Sequence, residues 1–446
     1  MNFDKTTIGS VCLVGDGAHA SISRVYDGVP YLTSKNFNKE GINLKEVEYI
    51  SEVDYSKHFR DNSKAVTKPK ELDIVFSIIG SLGGAYLFKK SDRFGLSSSV
   101  AIIRANKNQV NSIYLLYFLK STYLQKWVDS IKSGAAQGFL SLEMIKRLPL
   151  IIPPLPIQHK IASILSSYDE LIENNNQRIK LLEEMAEEIY KEWFVRLRFP
   201  GYENTKFFNT EGKDVAHDTS GAKPEGWEKT TLPKYIDFLE GPGLLNSQYR
   251  DEGIRYLNIR VMGQNDLLID KAGFLDKGDT LKRYPHFLLA ENDHVVSSSG
   301  TIGRVVSIRN CHLPLCLNTS IIRMRSKTNN VGTWQLKHFL KSNIFQSQIA
   351  SFAIGAAQAN FGPTHLKLMK MLAPNEEIGL KYESITNPME EEIKVLLDKN
   401  QLLKQTRDLL LPRLIGGKLS VEHLVAKGQE EKVLMSIEPE INYQAK

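Results

Sequence analysis

Apolar positions along this chain fall into two kinds of pattern, and each kind occurs twice. Short apolar runs bounded by Gly, Asp and Ser come first: Val29-Pro30-Tyr31-Leu32, Asp73-Ile74-Val75-Phe76-Ser77 and Ser99-Val100-Ala101-Ile102-Ile103-Arg104. Runs of this length predict strands. A helical stripe follows over 113–131, with Leu115, Phe118, Leu119 and Trp127 on one face. Leu148-Pro149-Leu150-Ile151-Ile152-Pro153-Pro154 closes the segment. The same order then returns as Ile254-Arg255-Tyr256-Leu257, Asp293-His294-Val295-Val296-Ser297 and Ser320-Ile321-Ile322-Arg323. Phe118-Leu119-Lys120-Ser121 becomes Phe339-Leu340-Lys341-Ser342, and Pro153 becomes Pro374. Ser133-Gly134-Ala135-Ala136-Gln137 becomes Ile354-Gly355-Ala356-Ala357-Gln358, a shift of 221 (355 − 134). A repeat this long denotes two similar mixed α/β domains, not a solenoid of short units.

The second pattern is a heptad seam after each domain. Ile161, Leu165, Tyr168, Ile172, Asn175, Ile179 and Leu182 advance by fours and threes, continuing to Ile189 and Trp193. Met389, Ile393, Leu396, Asn400, Leu403, Leu410 and Leu414 do the same. The second helix is expected to start at Asn387-Pro388, a cap residue and a first-turn proline, and to stop at Gly416-Gly417. Two matched stripes after two matched domains predict that the helices pair. With the domains at opposite ends, the pair must run antiparallel. At about 1.5 Å per residue, 161–195 spans roughly 50 Å, against about 34 Å for one turn of B-DNA. Asn175 and Asn400 fall near the two midpoints; they either meet, directly or through a shared water, and fix the register, or lie partly exposed at helix edges. The polar 201–224 linker and the tail after Val425 are expected to be loosely ordered.

Length and composition narrow the class. A chain of 446 residues should hold more than one core. Hydrophobic content of 42% with 24% charged residues fits globular domains and excludes a disordered chain. No apolar run is long enough to cross a bilayer, and Met1-Asn2-Phe3-Asp4-Lys5 lacks the layout of a signal peptide. Cys12, Cys311 and Cys316 make no disulfide framework, so a cytoplasmic protein is expected. The net charge of +6 is compatible with nucleic acid without assigning it.

Three motifs in order resemble the specificity subunit of a type I restriction–modification system. Ile152-Pro153-Pro154-Leu155-Pro156-Ile157-Gln158-His159-Lys160-Ile161-Ala162 resembles the family's Pro-Pro-Leu-x-x-Gln-x-x-Ile-Ala opening of the first conserved helix. Leu410-Leu411-Pro412-Arg413-Leu414-Ile415-Gly416-Gly417-Lys418-Leu419 resembles the end of the second. Pro224-Glu225-Gly226-Trp227-Glu228 resembles the start of the second target-recognition domain. Pro374-Asn375-Glu376-Glu377 departs from the family's form at the start of the second helix. The resemblance implies an α+β fold with a pseudo-two-fold internal repeat: two similar α/β target-recognition domains separated by two long antiparallel coiled-coil helices. The implied divisions are recognition domain 1 at 1–153, conserved helix 1 at 154–198, a linker at 199–224, recognition domain 2 at 225–378, conserved helix 2 at 379–420 and a polar tail at 421–446. It also implies a non-catalytic, DNA-binding subunit that reads a bipartite, asymmetric site. The implied partners are two methyltransferase subunits, which methylate adenine with S-adenosylmethionine, and restriction subunits that use ATP and magnesium and cut DNA. No membrane is implied. Exposed helix residues including Glu183, Glu184, Glu187 and Glu188 are the expected docking face for the methyltransferase subunits.

A groove-reading domain needs phosphate anchors and side chains that reach base edges. Arg and Lys release counterions, so affinity should fall steeply with salt. Asn and Gln pair two-pronged with adenine, and Arg or Lys with guanine. Those residue types occur in the inter-strand loops: Ser34, Lys35, Asn36, Arg60, Ser81 and Gln137 in the first domain, and Asn258, Arg260, Thr301, Arg304, Gln358 and Asn360 in the second. The matched Gly80-Ser81-Leu82-Gly83 and Gly300-Thr301-Ile302-Gly303 loops suit either close backbone approach or a tight turn. The 33–45 and 258–270 loops share almost nothing, so two different half-sites are expected.

Other chemistry finds no support. Cys311-His312-Leu313-Pro314-Leu315-Cys316 lacks zinc-finger spacing and reads as a strand with buried thiols. Glu392-Ile393-Lys394 has a nuclease-like pattern but sits in the second heptad and reads as a solvated helix face. There is no phosphate loop, no Asn-Pro-Pro-Tyr methyltransferase signature and no Phe-x-Gly-x-Gly cofactor loop, so base flipping and methyl transfer fall to a partner. Two competing readings are a fragment of a fused restriction–methyltransferase, for which methyl transfer by the chain alone would speak, and a free-standing DNA-binding regulator.

Overall fold

The computed structural model describes residues 3–38, 41–61, 66–132, 138–263, 265–353 and 360–422. Gln137, Gln358, the repeated motifs around them and the tail after Val425 lie outside the described residues. The chain forms two compact units, Met1–Glu173 with Asn400–Lys446, and Asn174–Lys399. Each unit therefore holds one module of the repeat and a part of both long helices.

In unit 1 an antiparallel sheet runs in the order Cys12–Asp16, Val100–Ala105, Ile74–Ser77, Ala85–Leu87. Its side chains alternate between two cores, as a strand's period of two requires. Ile74, Phe76, Ala101 and Ile103 join Tyr114, Leu115 and Phe118. Val75, Val100 and Ile102 join Leu32, Phe37, Phe94 and Leu96 on the other face. A three-stranded sheet, Glu48–Ile50, Val29–Leu32 and Gly95–Leu96, covers that second face. Asp4–Thr7 pairs antiparallel with Pro149–Ile152 and joins the two ends of the module.

Unit 2 repeats the plan with Ile236–Glu240, Ile321–Ser326, His294–Ser297 and Val305–Ser307 in one sheet. Tyr249–Arg250, Phe274–Leu275, Ile254–Leu257 and Leu315–Leu317 form the second. Glu228–Thr231 pairs with Lys370–Ala373. Again alternate residues part company: Val296, Ile322 and Met324 enter one core and Val295, Val306 and Ile321 the other.

The single helix expected over 113–131 is two helices, Ser112–Lys120 and Thr122–Lys132. Ser121 breaks it with extended backbone (φ −65°, ψ 149°). Its hydroxyl donates to Phe118 O, and Gln125 Nε2 donates to Leu119 O at 2.9 Å, so side chains satisfy the carbonyls that the break exposes. Ser342 and Gln346 do the same in unit 2 between Thr333–Lys341 and Asn343–Ala353.

The first long helix spans Leu155–Tyr190, and a π-turn over Lys191–Val195 extends it. The turn places Trp193 and Phe194 against Tyr382, with ring centroids 5.5 and 4.9 Å apart. The second long helix spans Glu376–Ile415 and does not begin at Asn387-Pro388. An interior proline costs about 3 kcal/mol by intrinsic propensity. Tertiary bonds hold the helix through it: Glu383 accepts from the Trp334 and Gln335 amides, and Asn387 Oδ1 accepts from Trp334 Nε1 at 2.9 Å. Every expected seam residue is buried or half-buried. Within unit 1 Lys160 meets Glu422 and Asp169 meets Arg407; within unit 2 Arg178 meets Glu392 and Tyr190 lies near Tyr382. In each unit one residue number rises as its partner's falls, so the paired segments are antiparallel. Asn175 is half-buried and belongs to unit 2, and Asn400 is buried and belongs to unit 1.

Three expectations are corrected. The 201–224 linker is folded, with strands Phe207–Phe208, Asp214–Val215 and Lys223–Pro224 in one small sheet. Phe199, Phe207, Ala222 and Trp227 enter the unit 2 core, and these four anchors outweigh the polar composition around them. Lys394 is not on a solvated face: it is buried, lies 5.3 Å over the Trp334 ring and pairs with Glu391 at 2.7 Å. Cys316 is a buried strand residue, but Cys311 sits in the Asn310–His312 turn and is exposed. No helix among the described residues is long and apolar enough to cross a membrane.

His294 gives unit 2 a pH dependence. Its ring is fully buried between Ser307 Oγ at 2.9 Å and Thr333 O at 2.8 Å. Burial pushes its pKa from 6.5 down to about 4, so the native ring is neutral. Between those values the unfolded chain binds the extra proton and the native one does not. Stability from this group is therefore complete above pH 6.5 and is lost as pH falls towards 4, by on the order of 3 kcal/mol. Urea unfolding at several pH values should show that slope in the wild type and lose it in His294→Gln.

Candidate nucleic-acid interface

Two matched loops end the central hairpins of the two units. In the 77–84 loop Ser77 Oγ accepts from the Gly84 amide at 2.8 Å, and the Gly83 amide donates to Ser77 O at 3.0 Å. In the 297–304 loop Ser297 Oγ accepts from the Arg304 amide at 2.9 Å, and the Gly303 amide donates to Ser297 O at 2.9 Å. Gly83 and Gly303 have left-handed backbone (φ 85° and 80°). A Cβ at either would collide with the amide of Gln125 or Gln346, whose Nε2 donates to that same glycine's carbonyl at 3.0 Å. These two glycines are thus demanded by the turn. Gly80 and Gly300 are also left-handed (φ 74° and 68°), but a Cβ at Gly300 would meet nothing and one at Gly80 only Ser34 Oγ at 3.9 Å.

The scaffolds match while the exposed groups do not. Ser81 and Thr301 are exposed at the tips. Beside them unit 1 presents the bridged pair Ile79 and Phe139, both exposed, where unit 2 presents Ser299 bridged to the exposed Asn360. Behind the unit 1 tip, Ser99 Oγ accepts from the Ser34 amide at 3.0 Å and lies 2.6 Å from Ser97 Oγ. The equivalent stretch in unit 2 is Asn318, Thr319 and Ser320.

Ser34 and Asn36 are buried, and the Asn36 amide is fully used. Its Oδ1 accepts from the Thr33 amide at 2.9 Å, and its Nδ2 donates to Asn43 O and Glu46 O at 3.0 and 2.9 Å. As folded, Asn36 supports the turn and leaves Lys35 exposed on it. Lys45, which sequence reasoning passed over, joins Lys35 along an open groove of about 630 Å³ together with Tyr31, Ser34, Asn43 and Ser99. The signal was available, since Lys45 ends the divergent loop that begins near Lys35. Arg60 is exposed in a different depression, beside Tyr55, Lys68 and Arg93.

In unit 2 Asn258 Oδ1 accepts from the Arg260 amide at 3.0 Å and leaves the Arg260 side chain exposed. Arg304 Nη1 donates to Met262 O at 3.0 Å, so the structure brings Arg304 against the loop that carries Arg260. Gln137 and Gln358 lie outside the described residues. The acidic run on the first long helix is largely neutralised within the chain: Glu183 accepts from Lys341 at 3.1 Å, Glu187 pairs with Lys191 at 2.6 Å and Glu188 with Arg196 at 2.5 Å. Among the described residues no group of three His, Cys, Asp or Glu side chains could hold a metal ion.

Comparison with known proteins places this geometry. Residues 2–184 match the family described as "Type I restriction modification DNA specificity domain". The chain is 24% identical over 382 residues to the type I restriction enzyme MjaVIII specificity subunit of Methanocaldococcus jannaschii, covering 84% of this chain and 86% of the relative. It is 21% identical over 447 residues to the putative MjaX specificity subunit of the same organism, covering 94% and 97%. The crystal structure of a type I restriction–modification S subunit from M. genitalium matches with a TM-score of 0.54 at 16% identity, over 93% of this chain and 96% of that one. At that identity the structural match speaks for the fold.

Proposed function

We propose that the chain, similar over most of its length to type I restriction–modification specificity subunits, is one of them and reads a bipartite, asymmetric DNA site, one half through each unit. The observation that carries this reading is a repeated loop scaffold bearing unlike groups: exposed Ile79, Ser81 and Phe139 with Lys35 in one unit, and exposed Thr301, Asn360 and Arg260 with the half-buried Arg304 in the other. Equal groups would read a palindrome; unlike ones read two different half-sites. Lys35, Lys45, Arg260 and Arg304 are the phosphate- or guanine-contacting candidates, because their cations are exposed or half-buried at loop edges.

The chain itself does no chemistry in this reading. Two methyltransferase subunits bind it and methylate adenine with S-adenosylmethionine, and restriction subunits add ATP- and magnesium-dependent cleavage. The whole assembly works in the cytoplasm. Mapping methylated adenines across the genome, with and without this gene, tests the proposal. The expected result is a two-part motif with unlike halves, methylated only when the gene is present. An unchanged map, or methyl transfer by the purified chain alone, would overturn it.

A further inference from the structure

Resting on the reading of unit 2 as a DNA-reading module, the structure points to a device that holds its recognition loop. Residues 258–263 fold back against 265–268: Met262 bridges Leu267, and the Gly263 amide donates to Asp266 O at 2.9 Å. Asp266 is the anchor of this hairpin. Its Oδ2 accepts from Arg309 Nη2 at 2.5 Å, and its Oδ1 lies 3.1 Å from His312 Nε2. The Arg309 amide donates to His312 Nδ1 at 3.1 Å, which leaves Nε2 on the side facing Asp266. Arg309 is buried, and its other terminal nitrogen, Nη1, bonds Asp398 on the long helix Glu376–Ile415.

A buried guanidinium between two carboxylates is expensive to desolvate and contributes little net stability over an apolar replacement. Its geometric effect is larger, because the planar fork fixes both partners in direction as well as distance. The positions that the repeat matches to Arg309 and Asp398 carry neither a guanidinium nor a carboxylate. The residue 220 positions before Arg309 (309 − 89) is Lys89, which is exposed. The residue 221 before Asp398 (398 − 177) is Gln177, a neutral amide that itself belongs to unit 2. The bracket is thus particular to the second module.

We propose that Arg309 is a positioning residue for DNA reading by unit 2, clamping residues 265–268, and with them the paired 258–263 segment, to the long helix through Asp266 and Asp398 so that Arg260 and Arg304 meet the duplex in one register. Arg309 touches no base itself. Arg304 reaches the clamped hairpin through Met262 O, and Arg260 precedes it by two residues.

The test uses the full chain assembled with its methyltransferase partner. Methylation rates are measured on duplexes with single base changes in each half of the mapped site, for the wild type, Arg309→Met and Asp398→Asn. Arg309→Met should lose about tenfold in discrimination at the half-site read by unit 2, the size expected when one base contact is misplaced. Discrimination at the other half-site and the salt slope of binding should stay unchanged. Asp398→Asn changes a partly exposed residue and leaves Arg309 and Asp266 paired; it should show a smaller loss in the same half. Arg309→Lys should not restore discrimination, because it lacks the fork. Equal losses in both halves, or full discrimination in both Arg309→Met and Asp398→Asn, would overturn the proposal. Absence of any two-part preference in the wild type would instead remove the reading on which it rests.

Discussion

Replacing Glu390 with leucine should destabilise unit 2 by about 3–5 kcal/mol, the usual cost of removing one partner of a buried ion pair. Glu390 is buried on the second long helix between Lys337 and His338, both buried on the helix Thr333–Lys341. Its carboxylate bonds Lys337 Nζ and accepts from His338 Nε2 at 2.9 Å. Tyr382 donates to His338 Nδ1 at 2.8 Å, so the ring is oriented from both sides. Burial works against the Glu390 carboxylate, but Lys337 and His338 outweigh it and hold its pKa at about 2, below the ordinary 4.5. A carboxyl whose native pKa is lowered adds stability above 4.5, lost as pH falls towards 2. With leucine in its place, Lys337 is left as a buried, unpaired cation, and the neutral His338 loses its acceptor. Urea unfolding followed by tryptophan fluorescence reads this directly, because Trp334 lies 5.7 Å from Lys337 Nζ. Adding Lys337→Met to Glu390→Leu should recover most of the loss, since the apolar pair no longer strands a charge. A loss under about 1 kcal/mol for Glu390→Leu, or no recovery in the double variant, would show that the pair is not what joins module and helix here.

Exchanging residues 1–150 for the same segment of one of the similar specificity subunits should replace one half of the recognised sequence and leave the other half as it was. The exchange ends inside the strand Pro149–Ile152, before the long helix. Ile161, Ala162, Leu165, Leu411 and Leu414, which complete the core of unit 1, remain from this chain, so the incoming module must present a compatible apolar face. Mismatched base pairs cost about 1–3 kcal/mol each, so a changed half-site of several bases is close to an all-or-none switch. Methylation assays on duplexes carrying old and new half-sites in each combination check it.

The parts of the fold that sequence made legible are those with local periodicity. The seam from Ile161 to Leu182 and the strands Val29–Leu32 and Ile254–Leu257 follow from spacing alone, and the loop pair at Gly80 and Gly300 from the repeat. What escaped depends on partners far away in the chain. Asp4–Thr7 is a strand because Pro149–Ile152 lies beside it. Pro388 sits inside a helix because Glu383 and Asn387 grip residues 334 and 335. Glu390, Lys337, Lys394 and Arg309 are buried although charged residues default to the surface. At the candidate interface the residue types were legible, but their availability was not. Asn36 has the side chain of an adenine reader and uses all of it to hold its own turn, whereas the neighbouring Lys35 on that turn is exposed.

The central claim is that one chain carries two unlike reading modules and leaves chemistry to its partners. Mapping methylated adenines in cells that carry the 1–150 exchange measures this most directly. The account predicts a motif that keeps one half, changes the other and depends on the gene throughout. A motif that changes in both halves, or in neither, would contradict it.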